Sequence, residues 1–459
     1  MIKLETLKNI WGVVELRKKI LFTLAMLLIY RAGTHIVLPG ISSDSLIRLK
    51  EEASSGILGI FNMFAGGAFS NASIFALGVM PYISASIAVQ LLGFVFPYFK
   101  KLQMEGESGR RSLNQITRYL TIAFTMFQGA AYMTYLAQMQ VIPSPGISIV
   151  FFRILTMFVL TAGTMFVVWL GERITDNGIG NGVSIIIMAG ILARLPISLY
   201  TEVTSKVSSQ TGGLVTLLLE MIAFVLVIMI TILILQAVRK IAVQYARKIV
   251  ASGSSVIPGR RNAPVNDSEE LDMAGSVRQY LPLKLNTAGV MPIIFAQAIM
   301  FVPTFLAQAL GINQNTDFWI SISNPNGLLY NVIVFVMVVV MTFLYTAIVM
   351  SPSQMADDLK RNNGFIPGIK PGSETADFID TIISRITFPG SIFLGIIAIL
   401  PFIIVKLFDV DMNWASFYGG TSLLIAIGVI LDTVTQIEGY LLNKKYDSLT
   451  DYSKLTGRQ

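Results

Sequence analysis

Apolar residues gather along this chain in blocks of about 20, the length a helix needs to cross a hydrocarbon core about 30 Å thick at about 1.5 Å per residue. The blocks predict ten spans, near residues 20–38, 74–96, 118–137, 149–170, 183–197, 214–238, 288–310, 328–350, 388–408 and 418–437. Several are interrupted. Pro81 falls in the second, Pro292 and Pro303 in the seventh and Pro401 in the ninth, while the fifth is short and runs into Pro196. Proline removes an amide donor and crowds the preceding turn, so these helices are expected to kink or break.

The stretch from Gly56 to Phe96 is broken most clearly. Its second part, Ile74 to Phe96, reads as a membrane helix, whereas Ile57 to Phe64 is too short to span, and Gly66 and Gly67 part the two. Backbone that stops being helical at membrane depth needs water or protein to satisfy its amides, so a broken apolar segment points to a cavity. A surface-lying hairpin before an ordinary helix is the other reading, and this stretch alone leaves both open.

The polar segments between blocks set the topology. With the N-terminus inside, 27 of the 34 Lys and Arg residues fall in alternate segments on one side and 5 on the other, which places both termini in the cytoplasm. Two sets of five spans follow, residues 1–200 with helices 1 to 5 and residues 201–459 with helices 6 to 10. An odd count inverts the second half relative to the first. The tetrapeptide GVMP recurs at 78–81 and 289–292, in corresponding spans, as an inverted repeat would have it.

Composition agrees with the pattern and narrows the chemistry. The chain of 459 residues is 54% hydrophobic and 13% charged, with mean hydropathy +0.67, the balance of an all-α polytopic membrane protein. The basic opening MIKLETLKNIWGVVELRKK is followed by no small-residue cleavage site, so the first helix is expected to stay. Cysteine is absent and His35 stands alone, leaving no disulfide, thiolate or histidine-cluster chemistry. There is no GxxxxGK[ST], HExxH or GxSxG motif and no acidic run with calcium spacing, so neither an enzyme nor a cofactor is expected.

Ionisable groups within the spans are few, Arg31 and Asp432 among them. A proton-coupled transporter keeps carboxylates or histidines at mid-membrane although each costs about 2.5–3.5 kcal/mol to insert. Their scarcity weighs against an ion-coupled secondary transporter of a small solute, the alternative that broken helices and inverted repeats also fit. What remains is an apolar pathway flanked by long basic loops, 239–286 and 351–387 above all. Those charges either enforce orientation alone or present a face to an acidic partner such as ribosomal RNA.

Five motifs go further: FALGVMPYISASI (75–87), GERITDNGIGNGVSIIIMAGI (171–191), YLPLKLNTAGVMPIIFA (280–296), NNGFIPGIKPGSETADFID (362–380) and FYGGTSLLIAIGVILD (417–432). With them the chain resembles the SecY family, channel subunits of the bacterial Sec protein translocase, over nearly its whole length. The resemblance implies a clamshell of two inverted five-helix halves, hinged on one side and opening on the other between helices 2 and 3 and helices 7 and 8. It implies a protein-conducting channel of the bacterial cytoplasmic membrane, for secretion across it and lateral insertion of helices into it. The implied partners are SecE, SecG, the SecA ATPase, the ribosome, signal-sequence-bearing preproteins and membrane lipids.

Carried over by position, the family's pore ring falls on Val79, Ile83, Ile187, Ile191, Ile294 and Ile425. Branched aliphatics exclude water and ions by dewetting and offer a passing chain no hydrogen bond, though each taken singly also reads as plain helix packing. The plug falls on about residues 57–71, with Ile57, Leu58, Ile60, Phe61, Met63, Phe64, Gly66 and Gly67. Ser84, Gln90 and Asn286 fall by the lateral gate, where amides and hydroxyls equally serve as interhelical glue worth about 0.6 kcal/mol. Partner docking falls on Arg247, Lys248, Arg260, Arg261, Lys360, Arg361 and Lys370. Two departures stand out: Lys370 replaces an arginine in GIKPG, keeping charge but losing the bidentate fork, and a polar stretch at 252–276 reads as a flexible insertion.

Overall fold

A computed structural model of the chain describes residues 13–41, 59, 62–138, 148–208, 213–245, 277–286, 289–309, 324, 327–408 and 410–456. The helices are α1 (Val14–Gly33), α2 (Met80–Val95), α3 (Pro97–Met104), α4 (Glu107–Gln138), α5 (Ile149–Asn177), α6 (Gly182–Ser208), α7 (Gly213–Leu235), α8 (Met291–Ala309), α9 (Leu328–Val349), α10 (Pro352–Arg361), α11 (Ser373–Phe408), α12 (Met412–Ala415) and α13 (Gly420–Thr456). Three strands accompany them, β1 (Val238–Tyr245), β2 (Val277–Lys284) and β3 (Gly364–Phe365). Each of the ten expected spans coincides with a helix. Among the described residues six helical segments are long and apolar enough to cross a membrane alone, and a seventh forms if Met80–Gly93 and Pro97–Gln103, bent by 105°, count as one.

Three elements depart from the sequence reading. The second span becomes helical only at Met80, not Ile74, because Gly78 at φ +54 takes a left-handed conformation and Pro81 suits the first helical turn. The fifth passes through Pro196 to Ser208 instead of stopping there. The next turns are held by Ser198 Oγ donating to the Arg194 carbonyl at 3.1 Å and Thr201 Oγ1 to that of Ser198 at 2.8 Å, the kind of support that lets a membrane helix tolerate proline. The segment 239–286, read as a loop, begins and ends in strands. Ile241, Val243 and Tyr245 alternate at period two, with Ile241 and Val243 buried.

The chain divides into two compact units. The smaller comprises Ile232–Gly289 and Val339–Phe393. In it β1 pairs antiparallel with β2, from Val238↔Lys284 to Tyr245↔Val277, and with β3 on its other edge. Ile241, Val243 and Leu283 on the sheet pack with Leu359 of α10, Ile366, and Ile379 and Ile383 of α11. Period two on the strands meets period 3.6 on the helices in one apolar layer.

The larger unit comprises Met1–Thr231, Val290–Val338 and Leu394–Gln459. Its helix contacts close a circuit: α4 packs on α5, α5 on α6, α6 on α13, α13 on α8, and α8 back on α4. Helix α13 is the core of this unit, with 72% of its apolar stretch buried against 11% for α7. The exposed Leu214, Val215, Leu218 and Ile222 of α7 suit lipid, which is as apolar as they are.

Where α6 gives way to α7 the larger unit holds a buried ionic cluster. Lys206 Nζ lies 3.3 Å from Glu220 Oε1 and 3.7 Å from Glu202 Oε1 and donates to the Phe408 carbonyl at 3.0 Å. Glu202 Oε2 accepts from the Asp411 amide at 3.2 Å. Both glutamates are buried, so the lysine that pairs them cannot be removed cheaply. Lys206→Met is expected to lower stability by about 3 kcal/mol, read as a lower thermal midpoint in detergent; an unchanged midpoint would show that the cluster contributes no net stability.

Candidate functional site

After a helical turn at residues 62–64, the segment through Val79 is folded on itself instead of continuing as a helix. Gly66 and Gly67 adopt φ +63 and +87, which glycine takes without a Cβ penalty. The turn closes through Gly67 N–H donating to the Asn62 carbonyl at 2.9 Å and Ser70 N–H to Asn62 Oδ1 at 3.0 Å. Met63, Phe64, Ala65, Ala68 and Phe69 are all buried.

Side chains from surrounding helices donate to carbonyls of the segment, those of Ala65 and Phe69 also accepting the amides of Ala68 and Ala72 at 3.1 and 3.2 Å. Arg31 Nη1 of α1 donates to the Gly66 carbonyl at 2.8 Å and the neighbouring Tyr30 hydroxyl to that of Ala65 at 3.4 Å. Tyr132 of α4 donates its hydroxyl to the Phe69 carbonyl at 3.0 Å while its ring packs on Phe69, centroids 4.7 Å apart. Ser416 Oγ reaches Met63 Sδ at 3.3 Å. One edge is fixed by an antiparallel bridge between Val37 and Ser73.

The expected ring residues lie on helices of the circuit and on α2, which packs against α4. Val79 caps α2 and Ile83 follows one turn later, its amide donating to the Val79 carbonyl at 3.1 Å. Ile187 and Ile191 share a face of α6 by the same spacing. Val79, Ile83, Ile187, Ile191 and Ile425 are buried, and Ile294 is half-buried near the start of α8. Between Ile187 and Ile191 stands Gly190, whose backbone meets Gly66: a Cβ on Gly66 would fall 2.8 Å from the Gly190 Cα. The folded segment thus rests on α6 at the level of these two isoleucines. Of the expected plug residues, Met63, Phe64, Gly66 and Gly67 belong to it, whereas Ile57, Leu58, Ile60 and Phe61 lie outside the described residues.

The expected gate residues occupy three separate settings. Ser84 Oγ donates to the Met80 carbonyl at 3.1 Å and meets Gln128 Nε2 of α4 at 3.5 Å, so it links α2 to α4. Gln90 stays on its own helix, with Nε2 3.4 Å from Ser86 Oγ. Asn286 belongs to the smaller unit, where its Nδ2 donates to the Gly289 carbonyl at 2.9 Å.

Of the expected docking residues, Lys360 and Arg361 are exposed in the last turn of α10. Lys370 is exposed, its Nζ 3.4 Å from Glu374 Oε1 in a solvent-facing pair that contributes little. Arg247, Lys248, Arg260 and Arg261 lie outside the described residues, as does the polar stretch 252–276. Tyr30, Tyr132 and Gly190, which carry much of the geometry, were not singled out from sequence. Only Arg31 gave a signal, as a charge within a span.

A segment that breaks from helix and is clasped by residues of α1, α4 and α6 among apolar helices fits a membrane channel, and comparison with known proteins names the family. The SecY family model matches residues 73–434. The protein translocase subunit SecY of Streptomyces galbus is 38% identical, with 94% of this chain and 96% of that one covered. For that of Haemophilus influenzae the figures are 37%, 96% and 96%. A solved protein-conducting channel aligns with TM-score 0.63 at 16% identity, covering 94% of this chain and 92% of that one. A SecY structure whose plug domain stabilizes the closed state of the translocation channel aligns at 0.61 and 17%, with the same coverage. The chain belongs to the SecY family.

Gly66→Ala combines a left-handed φ with a collision against the Gly190 backbone. It is expected to weaken the seat of the folded segment by roughly 2 kcal/mol, read as faster hydrogen exchange at the amides of Gly66, Gly67 and Ser70. Unchanged exchange would mean that the segment is not held by this contact.

Proposed function

We propose that this chain is the channel subunit of a bacterial protein translocase, a passive gated conduit through which unfolded polypeptides cross the cytoplasmic membrane and from which apolar helices leave sideways into lipid. The observation that carries the reading is the seat of a folded segment on Gly190, between Ile187 and Ile191, on a helix that belongs to a closed circuit of helices; we read that segment as the plug. The six aliphatic ring residues form the seal beside it and dewet when no chain is present. Packing of α8 on α4 supports a lateral gate that is shut in this state, and Ser84 and Gln90 of α2 and, by its place in the sequence, Asn286 are proposed as gate residues. The two inverted halves, 1–200 and 201–459, move against each other to open it.

The segregation of Lys and Arg supports an orientation with both termini in the cytoplasm. Lys360, Arg361 and Lys370, exposed on the smaller unit, and Arg247, Lys248, Arg260 and Arg261 present basic charge to the ribosome or to SecA. SecE and SecG complete the complex. Energy comes from the motor, the ribosome or the membrane potential, and the channel itself performs no catalysis. A small-solute transporter, the alternative drawn from sequence, is set aside because the curated relatives are protein translocase subunits.

Vesicles carrying the complex are expected to protect an unfolded, signal-bearing preprotein from added protease only when SecA and ATP are present. Ion-driven uptake of a small solute without SecA would overturn the reading. Replacing Ile187 and Ile191 together by Gly is expected to raise resting ion conductance at least tenfold by admitting water to the waist. A conductance equal to that of the parent would remove both residues from the seal.

A further inference from the structure

We infer that Arg31 is the latch of the plug, the residue that sets how often the resting channel opens spontaneously; the inference rests on the plug reading above. Arg31 lies in the last turn of α1, and a charged side chain within a span is retained against an insertion penalty, so its partner is informative. That partner is the Gly66 carbonyl at 2.8 Å, the residue of the folded segment whose backbone touches α6. Among the described residues no carboxylate pairs with Arg31.

The arrangement is bistable in a simple way. With the segment seated, the guanidinium of Arg31 donates a charge-assisted hydrogen bond to a carbonyl that points out of the turn and has no amide partner there. Charge-assisted bonds are the stronger kind. With the segment displaced, that bond is lost and Arg31 is left in its span without the acceptor, so the loss weighs on one state only. A contact present in one of two states shifts their ratio by its whole differential free energy. Arg31 is therefore a positioning residue, acting on the path through the segment it holds.

Because the chain has no cysteine, Ser70→Cys gives this subunit a single thiol, placed in the buried segment. Its labelling by a membrane-impermeant maleimide, in the reconstituted complex at rest, reads the unseated fraction. Arg31→Met is expected to raise the labelling rate on the order of tenfold, and Arg31→Lys, which keeps charge and a donor, to return it to within about twofold of the parent. Should Arg31→Met fail to assemble, Arg31→Gln, with a tip too short to reach the carbonyl, carries the same expectation. A resting rate unchanged by the apolar variant, or a lysine variant no better than methionine, would overturn the latch. The plug reading has its own control: with SecA, ATP and a preprotein arrested in transit, the parent's rate should rise. If it does not, the segment is no plug and Arg31 is a tether alone, an outcome distinct from a plug that moves without regard to Arg31.

Discussion

Peptide groups at membrane depth must find hydrogen-bond partners inside the protein, and the arrangement of the larger unit follows from that requirement. A helix meets it by itself. The stretch from Ala65 to Val79 meets it partly through its own turns, while Arg31 takes up the Gly66 carbonyl and Tyr30 and Tyr132 add second donors to those of Ala65 and Phe69. Those three side chains fix where α1 and α4 stand relative to it. The glycine contact between residues 66 and 190 then brings the segment against α6 more closely than any side chain would permit.

Two kinds of polar attachment divide the labour within this unit. The folded segment is tethered by separate hydrogen bonds, most of them made to backbone oxygens that water can also satisfy. The junction of α6 and α7 is tied by two buried carboxylates and a lysine, and charges so placed cannot part without leaving one of them uncompensated. The first kind of contact can be remade with water, whereas the second ties together groups that have nowhere else to go.

Much of this was legible in the sequence, for physical reasons that also mark where legibility stopped. A helix stands at each of the ten expected spans, six of the helical segments being long and apolar enough to cross a membrane alone among the described residues, since apolar length is a constraint of the bilayer itself. Helix starts were less visible: the onset at Met80 depends on a left-handed Gly78, and the continuation past Pro196 on hydroxyl bonds in the turns that follow it. The strands within 239–286 escaped notice although Ile241, Val243 and Tyr245 alternate, because short period-two signals are weak beside long apolar blocks. The break at Gly66 and Gly67 was plain; its partners were not, since no local pattern tells Tyr30 or Tyr132 to reach a carbonyl many residues away. Arg31 stood out only as an anomaly, a charge within a span whose acceptor lies on another part of the chain.

The pairing of Tyr245 with Val277 at the end of β1 and β2 has a consequence for how this family can vary. The chain departs from the sheet and comes back to it at neighbouring positions, so whatever is threaded between those residues need not alter the ladder that begins there. Closing a longer excursion adds only about 0.6 kcal/mol for each doubling of its length. A fluorescent reporter spliced between the two residues could therefore ride on the translocase without disturbing its conduit.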